Sequence, residues 1–175
     1  SVVNKFLSEL RDVSIQTDRA KFRYNLQRIG QMMAYEVSKT LAYSVKSVQT
    51  PLGIAEASTH DDSVVLGTIF RAGLPFHQGF LDVFDDADNA FVSAYRYYRD
   101  KESEDVGIKI EYMATPDLNG KTLIVVDPML ATGGSAVAAI DIVKKAGAKK
   151  IIYMGIVGVD EGINNLQKHH PDVDI

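Results

Sequence analysis

The 175-residue chain contains 19 basic and 23 acidic residues, and the resulting net charge of −4 argues against a broad nucleic-acid-binding face. It has no cysteine, which excludes disulfides and thiolate chemistry. Its length and its hydrophobic content of 46% predict one domain. The chain lacks an apolar run of about 18 residues, a signal-peptide pattern and a lipidation motif, so we expect a cytoplasmic protein without a membrane partner.

The first third of the chain contains one strongly periodic helix. Residues 1–16 have mixed character and are not assigned. Thr17 or Asp18 is a suitable helix N-cap, and apolar residues then recur at spacings of three and four, at Phe22, Leu26, Ile29, Met33, Val37 and Leu41. This pattern predicts a long amphipathic helix. Residues 50–62 are predicted to form a loop, because they contain a proline, a glycine and a run of polar residues.

Two β-rich runs follow in the middle of the chain. Residues 63–70 predict a strand that ends in a charged, glycine-containing loop, Arg71-Ala-Gly-Leu-Pro. Residues 89–98 predict another strand, with Arg96 near its end. After a polar stretch, apolar and polar residues alternate over residues 108–113, as in the return arm of a β-hairpin. We expect these two arms to form a mobile flap over an active site.

The most informative stretch is LIVVDPMLATGGS, residues 123–135. Its four apolar residues predict a strand that is buried on both faces. Helical periodicity resumes after it, with Ala136, Ile140 and Val143 on one face. Residues 127–135 are therefore predicted to form a strand-to-helix loop with an acid at its start and two glycines where the helix begins.

Such a loop has the chemistry of a binding site for a sugar phosphate. A helix N-terminus offers unpaired N–H groups and a partial positive charge, and glycines let the backbone curl closely around an oxyanion. Thr132 and Ser135 add hydroxyl donors, whereas Asp127 lies upstream, where its carboxylate can accept hydrogen bonds from sugar hydroxyls. A ribose 5-phosphate matches both ends. The loop fits neither the Walker A spacing nor the Gly-x-Gly-x-x-Gly dinucleotide fingerprint.

The end of the chain continues the alternation of strand and helix. Residues 150–157 predict a parallel-type strand, residues 160–170 a helix, and residues 173–175 have strand character. No metal-binding residue is predicted, because the histidines lack the spacing of a metal site, and we expect them to face solvent or to be satisfied by neighbours. The four histidines are His60, His77, His169 and His170.

The loop at Asp127 closely resembles the 5-phosphoribosyl-1-pyrophosphate (PRPP) loop of the phosphoribosyltransferases, in the form found in uracil phosphoribosyltransferases. Most of that superfamily has two adjacent acids at the strand end, whereas the uracil enzymes have Asp-Pro, as this chain has at Asp127-Pro128. The loop at Arg71 and the Tyr-Arg at Arg96 also resemble the family. The likeness implies an α/β fold, with a phosphoribosyltransferase-type parallel sheet flanked by helices and a flexible β-hairpin hood.

The resemblance implies transfer of ribose 5-phosphate from PRPP to uracil, giving UMP and pyrophosphate through an oxocarbenium-like sugar. Asp127 would take the ribose hydroxyls and residues 131–135 the 5-phosphate. Arg71 and Arg96 would bind the pyrophosphate, with Asp127 and Arg96 as catalytic residues and Mg²⁺ held mainly by PRPP. The residues assigned to PRPP binding are Arg71, Arg96, Asp127, Pro128, Met129, Leu130, Ala131, Thr132, Gly133, Gly134 and Ser135.

The family's Gly-Asp-Ala-Gly-Asp loop, which recognises uracil, has no counterpart in residues 1–175. Uracil-binding residues are therefore not assigned, and we expect a single phosphoribosyltransferase domain that is incomplete at its C-terminus. A fragment, a sequence record without its tail and a truncated product all stay open as explanations.

Assembly and regulation are also inferred from the resemblance alone. The family commonly forms homodimers or homotetramers, and some relatives are activated by GTP. A second function stays open, because some proteins of this fold are nucleotide-binding RNA regulators and a truncated copy would be a binding module without catalysis. The acidic net charge argues against an RNA partner.

Overall fold

The structure is a computed structural model that describes residues 1–98 and 106–175, and for residues 94–98 and 106–111 it describes the backbone alone. The helices in this part of the chain are α1 (Val2–Arg11), α2 (Arg19–Ser38), α3 (Leu74–Leu81), α4 (Gly134–Lys145) and α5 (Asp160–His169). The strands are β1 (Tyr43–Thr50), β2 (Gly53–His60), β3 (Val64–Phe70), β4 (Asp88–Tyr98), β5 (Val106–Ala114), β6 (Thr122–Val126), β7 (Met129–Leu130), β8 (Lys150–Met154) and β9 (Val157–Gly158).

A five-stranded sheet with the order β5-β4-β3-β6-β8 forms the centre of the molecule. Strands β4, β3, β6 and β8 are parallel, and β5 joins the edge antiparallel to β4. Every residue of β6 is buried, because helices cover both faces of the sheet. This mostly parallel α/β sheet confirms the predicted fold class, and its strands confirm those predicted from the apolar runs.

The predicted return arm of the hairpin is present as β5. It pairs with β4 from Phe91↔Ala114 to Tyr98↔Val106, with a register shift between Ser93 and Ala94. The tip of the predicted hood, residues 99–105, lies outside the described residues, as do the side chains of the strand ends beside it. The flexibility of the hood therefore stays a prediction.

Strand β6 divides its side chains between two hydrophobic cores. Leu123 and Val125 lie in a core with residues of α4 and α5, whereas Ile124 and Val126 lie in a core with residues of α2 and α3. Successive side chains of a strand point to opposite faces, so this alternation follows directly from the four apolar residues in a row. The strand that leads to Asp127 is thus held from both sides.

The predicted long helix is α2, and its start is confirmed. The Asp18 carboxylate accepts hydrogen bonds from the N–H groups of Ala20 and Lys21, each at 3.0 Å, as an N-cap does. The helix ends at Ser38, so the prediction that it extends to Leu41 was wrong. Leu41 is still buried, in the same core as α2, which explains why it fits the apolar pattern.

No helix in the described part of the chain is long and apolar enough to cross a membrane.

The prediction of a loop over residues 50–62 was also wrong. Strand β2 occupies most of this range and pairs with β1 in a separate two-stranded sheet, from Tyr43↔His60 to Thr50↔Gly53. Every residue of the two hairpin strands is exposed or half-buried, so the strands lack the apolar alternation that marks a strand packed on a core. The unassigned N-terminal residues contain α1, whose Phe6 is buried.

The C-terminal predictions hold except for a break in the predicted strand. Residues 150–157 form β8 and, after a break, the start of β9, and the predicted helix is α5. Strand β9 pairs with β7, which lies in the loop after β6. Asp174 forms an isolated parallel bridge with Ile152, which accounts for the strand character of residues 173–175.

Candidate active site

Two loops meet at the carboxyl edge of the central sheet. Strands β3 and β6 are parallel neighbours, with Thr68 opposite Val126, so the chain leaves both strands at the same edge. The loop of residues 71–73 (the Arg71 loop) and the loop of residues 127–133 (the Asp127 loop) enclose a cavity of about 250 Å³. The cavity is lined by Ile69, Phe70, Arg71, Ala72, Asp127, Met129, Leu130, Ala131, Thr132, Gly133, Gly134, Ser135 and Ala136.

Most residues assigned to PRPP binding therefore lie together. Pro128 is the exception in the Asp127 loop, since it does not line the cavity. Its carbonyl oxygen instead accepts hydrogen bonds from the N–H groups of Ile156 and Val157, at 3.2 and 3.1 Å. Pro128 thus ties the Asp127 loop to the chain after β8.

The Asp127 loop ends at the N-terminus of α4. Gly133 is the N-cap residue and has a φ of +79°, a left-handed conformation that favours glycine. It has no side chain that caps the first turn, so the N–H groups at the start of α4 are available to a ligand in the cavity. Gly134, Ser135 and Ala136 of that first turn line the cavity. The arrangement suits an anion.

Helix α5 supports the Asp127 loop from behind. The side-chain amide of Asn165 donates a hydrogen bond to the carbonyl oxygen of Thr132 at 2.7 Å. A Cβ on Gly162 would collide with the carbonyl oxygen of Ala131, and a Cβ on Gly133 would lie 2.9 Å from the carbonyl oxygen of Gly162. Sequence reasoning did not identify Asn165. Asn165 lies three residues after Gly162, so both are on one face of α5. This spacing is the sequence pattern that could have identified Asn165.

Asp127 is half-buried at the end of β6, where Tyr153 of β8 donates a hydrogen bond from its hydroxyl to Oδ2 at 3.0 Å. Burial raises the pKa of the Asp127 carboxyl, and the hydrogen bonds from Tyr153 and the Met129 N–H oppose that rise. Burial beside this carboxyl raises the pKa of Tyr153 as well. Sequence reasoning missed Tyr153, because a tyrosine in an apolar strand has the appearance of an ordinary core residue.

Arg71 lines the same cavity as Asp127 and is exposed. Its peptide bond with Phe70 is cis. The ring of Phe70 stacks on Phe91 of β4, with centroids 5.1 Å apart, so the residue before Arg71 is anchored on the sheet. No hydrogen bond or salt bridge joins the Arg71 side chain to any residue that the structure describes. The guanidinium is therefore free to bind an anion.

Close packing sets the turn of the Arg71 loop. A Cβ on Gly73 would collide with the Thr68 hydroxyl, and it would lie 2.9 Å from the carbonyl oxygen of Ile69. Gly73 has an ordinary φ of −67°, so lack of space, and not backbone conformation, requires glycine here. Arg96, the other predicted pyrophosphate-binding residue, lies on β4, but its side chain is outside the described residues.

The histidines lie away from the cavity. His169 is exposed, and the buried His170 has Nε2 3.2 Å from the Asp141 carboxylate. The ring of the buried His77 has Nε2 2.7 Å from Asn89 Oδ1. The expectation that histidines face solvent or have partners therefore holds for His169, for Nε2 of His170 and for Nε2 of His77. It fails for two other ring nitrogens. The buried histidine atoms without a hydrogen-bond partner in the described part of the chain are Nδ1 of His60 and Nδ1 of His77.

Comparison with known proteins gives a consistent result over the whole chain. The family model described as uracil phosphoribosyltransferase matches residues 1–175. A uracil phosphoribosyltransferase from Porphyromonas gingivalis is 49% identical over 173 residues, which cover 98% of this chain and 79% of that protein. One from Dictyoglomus thermophilum is 40% identical over 176 residues, which cover 99% of this chain and 82% of that protein.

Solved structures agree. The structure of AQ2163 protein from Aquifex aeolicus superposes with a TM-score of 0.86 at 28% identity, covering 99% of this chain and 81% of that one. A purine phosphoribosyltransferase from Pyrococcus horikoshii shares the fold, with a TM-score of 0.56 at 18% identity, covering 78% of this chain and 74% of that one. Together with the Asp127 loop at the sheet edge, the family model and the relatives at 49% and 40% identity show that the chain belongs to the uracil phosphoribosyltransferase family.

Proposed function

We propose that this chain transfers ribose 5-phosphate from PRPP to uracil, giving UMP and pyrophosphate, with PRPP bound in the cavity between the Asp127 and Arg71 loops. The observation that carries the proposal is the meeting, in one cavity, of the Asp127 carboxylate, the N-terminus of α4 and the Arg71 guanidinium. These three groups match the sugar hydroxyls, the terminal phosphate and the diphosphate of one ligand.

The 5-phosphate is assigned to the first turn of α4 and the residues before it. Ala131, Thr132, Gly133, Gly134 and Ser135 all line this end of the cavity. A phosphate there accepts hydrogen bonds from backbone N–H groups and hydroxyls, each contributing about 1.5–3 kcal/mol when the acceptor is charged. Several such bonds outweigh the helix-dipole contribution of about 0.3–1 kcal/mol, so the shape of the loop decides the affinity.

Asp127 is assigned to the ribose hydroxyls and to catalysis. One carboxylate oxygen, Oδ2, accepts the hydrogen bond from Tyr153, and the side chain also lines the cavity. Departure of pyrophosphate leaves positive charge on the sugar, and a fixed carboxylate beside the ring stabilises that charge without forming a covalent bond.

Arg71 and Arg96 are assigned to the pyrophosphate. Guanidinium groups bind phosphate oxygens through two parallel hydrogen bonds, which suits a leaving group that gains charge. The exposed Arg71 is within the cavity lining, and β4 carries Arg96 two strands away from β6. Arg96 remains assigned by the family resemblance alone.

Magnesium fits these residues as an ion carried mainly by PRPP. Among the described residues, no group of three or more His, Cys, Asp or Glu side chains is placed to hold a metal ion. The described residues that line the cavity include one acid, Asp127. Mg²⁺ keeps several water and phosphate ligands and needs few from a protein. When bound, it neutralises charge on the diphosphate, while Arg71 supplies the protein's own cation at that end of the cavity.

Pyrophosphate release from PRPP tests the function directly. With uracil, the full-length wild-type protein should release pyrophosphate and form UMP in equal amounts, whereas cytosine, hypoxanthine and adenine should give no product. Asp127→Asn should lower the rate at least about 100-fold, because the sugar-binding carboxylate is lost. Asp86→Asn, in an exposed turn before β4, is the control. Unchanged turnover in Asp127→Asn would remove the assigned role of this residue.

The same variant has an expected effect on stability. Because burial holds the Asp127 pKa above its unfolded value, ionising this group at neutral pH lowers the free energy of unfolding. The neutral side chain that Asp127→Asn introduces avoids that cost, so the variant should melt at or above the wild-type temperature at pH 7. A melting temperature well below the wild type would mean that lost activity reflects lost folding.

Three further predictions are a homodimer or homotetramer, activation by GTP, and a cytoplasmic location. The first two rest on the family resemblance. Sedimentation velocity addresses the first, and an assay with and without GTP addresses the second.

A further inference from the structure

The placement of Tyr153 follows from the register of the central sheet. Strands β6 and β8 are parallel, with Tyr153 directly opposite Val125. Asp127 lies two residues after Val125, and the ladder continues past the strand, because the Asp127 N–H donates a hydrogen bond to the Met154 carbonyl oxygen at 3.1 Å. Residues two apart share a face, so the phenol reaches along that face to the Asp127 carboxylate.

Packing fixes the direction of the phenol hydroxyl. Tyr153 is 1% exposed, and its ring belongs to the core that includes Leu130 and Leu166. A close-packed ring has one available orientation, and a buried hydroxyl requires a hydrogen-bond partner. Asp127 Oδ2 is that partner, at 3.0 Å. The carboxylate is thus held through one oxygen by a group that does not line the cavity.

We propose that Tyr153 is a positioning residue for the transfer reaction, which holds Oδ2 of Asp127 so that Oδ1 is directed at the ribose hydroxyls of PRPP. The inference rests on the proposed function. The groups that hydrogen-bond to the Asp127 carboxyl are the Tyr153 hydroxyl from β8 and the Met129 N–H from its own loop, and the charged Arg71 side chain lines the same cavity. Tyr153 is the side chain among them that packing immobilises.

Tyr153→Phe removes the hydroxyl and keeps the ring. With Asp127 released, kcat/KM for PRPP should fall between about 10-fold and 100-fold, since small misplacements of reacting groups have effects of this size. The acid limb of the kcat/KM profile should also move to higher pH, because the phenol stabilises the charged carboxylate. Tyr43→Phe is the control, as it removes a phenol hydrogen bond to the Ser38 carbonyl oxygen and changes no residue of the cavity lining.

A double-mutant cycle separates positioning from a general structural effect. PRPP binding is measured by calorimetry in the wild type, Tyr153→Phe, Asp127→Asn and the double variant, so that slow turnover does not prevent the comparison. If Tyr153 acts through Asp127, Tyr153→Phe should weaken binding in the wild type and have a much smaller effect in Asp127→Asn. Equal effects in both backgrounds would overturn the proposal.

A second substitution tests the sign of the effect. Replacing Tyr153 with 3-fluorotyrosine keeps the ring in place and makes the hydroxyl a stronger donor, so the acid limb should move to lower pH. This result is available even where Tyr153→Phe folds poorly. Inactivity of the full-length wild-type protein with PRPP and uracil would contradict the proposed function. An active wild type whose acid limb is unmoved by either substitution would contradict only the role of Tyr153.

Discussion

The Asp127 loop and the Arg71 loop meet at one cavity, but they are built differently. The Asp127 loop presents backbone groups, and α5 clamps it through the Asn165 amide and a close approach at Gly162. The Arg71 loop presents an exposed side chain that is unbound to the described residues. One half of the site is thus formed before the ligand arrives, whereas the other gains its contacts from the ligand.

This difference has an energetic meaning. Fixing a long side chain costs conformational entropy of up to about 2 kcal/mol, and a preformed backbone cradle avoids that cost when the ligand binds. The 5-phosphate is common to PRPP and UMP, whereas the diphosphate must leave after the reaction. Under the proposed assignment of the two phosphate groups, a rigid site for the shared group and an adaptable site for the leaving group fit that sequence of events.

Gly133→Ala should have the largest effect on the rigid half. A side chain at φ +79° costs about 1–3 kcal/mol, and here its Cβ would also approach the Gly162 carbonyl oxygen at 2.9 Å. The loop must shift, so PRPP affinity should fall about 100-fold. Gly120→Ala is a matched control, because Gly120 has a φ of +73° and open space around its Cβ position. If both variants lose stability equally and both retain PRPP affinity, the clamp on the Asp127 loop is not required for binding.

Arg71→Ala should have the next largest effect. Loss of its charge-assisted hydrogen bonds, each about 1.5–3 kcal/mol, should raise KM for PRPP roughly 10-fold to 100-fold. Arg71→Lys keeps the charge but not the two-pronged geometry, so it should lie between Arg71→Ala and the wild type. Melting temperatures should stay unchanged, because the side chain is exposed. A large drop in melting temperature would show that Arg71 is part of the rigid half after all.

Asn165→Ala tests the clamp without touching the cavity lining. Removing its hydrogen bond to the Thr132 carbonyl oxygen should cost about 0.5–1.5 kcal/mol, which corresponds to a loss of up to about tenfold in PRPP affinity. The exposed neighbour Asn164 gives the control, Asn164→Ala. Calorimetry with PRPP checks both variants. Identical affinities in the two would mean that α5 does not set the shape of the Asp127 loop.

His77→Gln should have the smallest effect, a change in how the free energy of unfolding depends on pH. His77 lies on α3, the helix that follows the Arg71 loop. Burial lowers the pKa of His77, with the hydrogen bond to Asn89 opposing, so the unfolded state binds a proton more readily than the folded state. Stability should therefore fall as pH decreases through the unfolded value of about 6.5. His77→Gln removes this proton uptake, so urea unfolding at pH 8 and pH 5.5 should differ less than in the wild type. An unchanged difference would assign the acid sensitivity to other groups.

Local sequence patterns predicted the elements that carry the site. We identified β6, the Asp127 loop and α4 from four apolar residues in a row, the acid after them and the paired glycines. Burial on both faces and close backbone approach each require particular residue types at consecutive positions, so the sequence shows them. The placement of Arg71 at the same edge followed from parallel topology.

Contacts between distant residues could not be predicted in the same way. The bond from Tyr153 to Asp127 depends on the register of β8 against β6, and the Asn165 bond depends on how α5 lies behind the loop. The β1–β2 hairpin escaped prediction because its side chains face solvent, and its pairing is satisfied by backbone groups that have no sequence signature. The end of α2 was placed too late because Leu41 packs in the same core from beyond the helix.

Strand β6 has a further consequence, since its side chains alternate between the two cores and its last residue precedes Asp127. Separating this strand from its neighbours would open both cores at once, so its amides should exchange with solvent only through global unfolding. Enzyme that is losing its fold should then retain full turnover in each surviving molecule until the moment that molecule unfolds. Heat inactivation would lower the number of active molecules and leave their KM for PRPP unchanged.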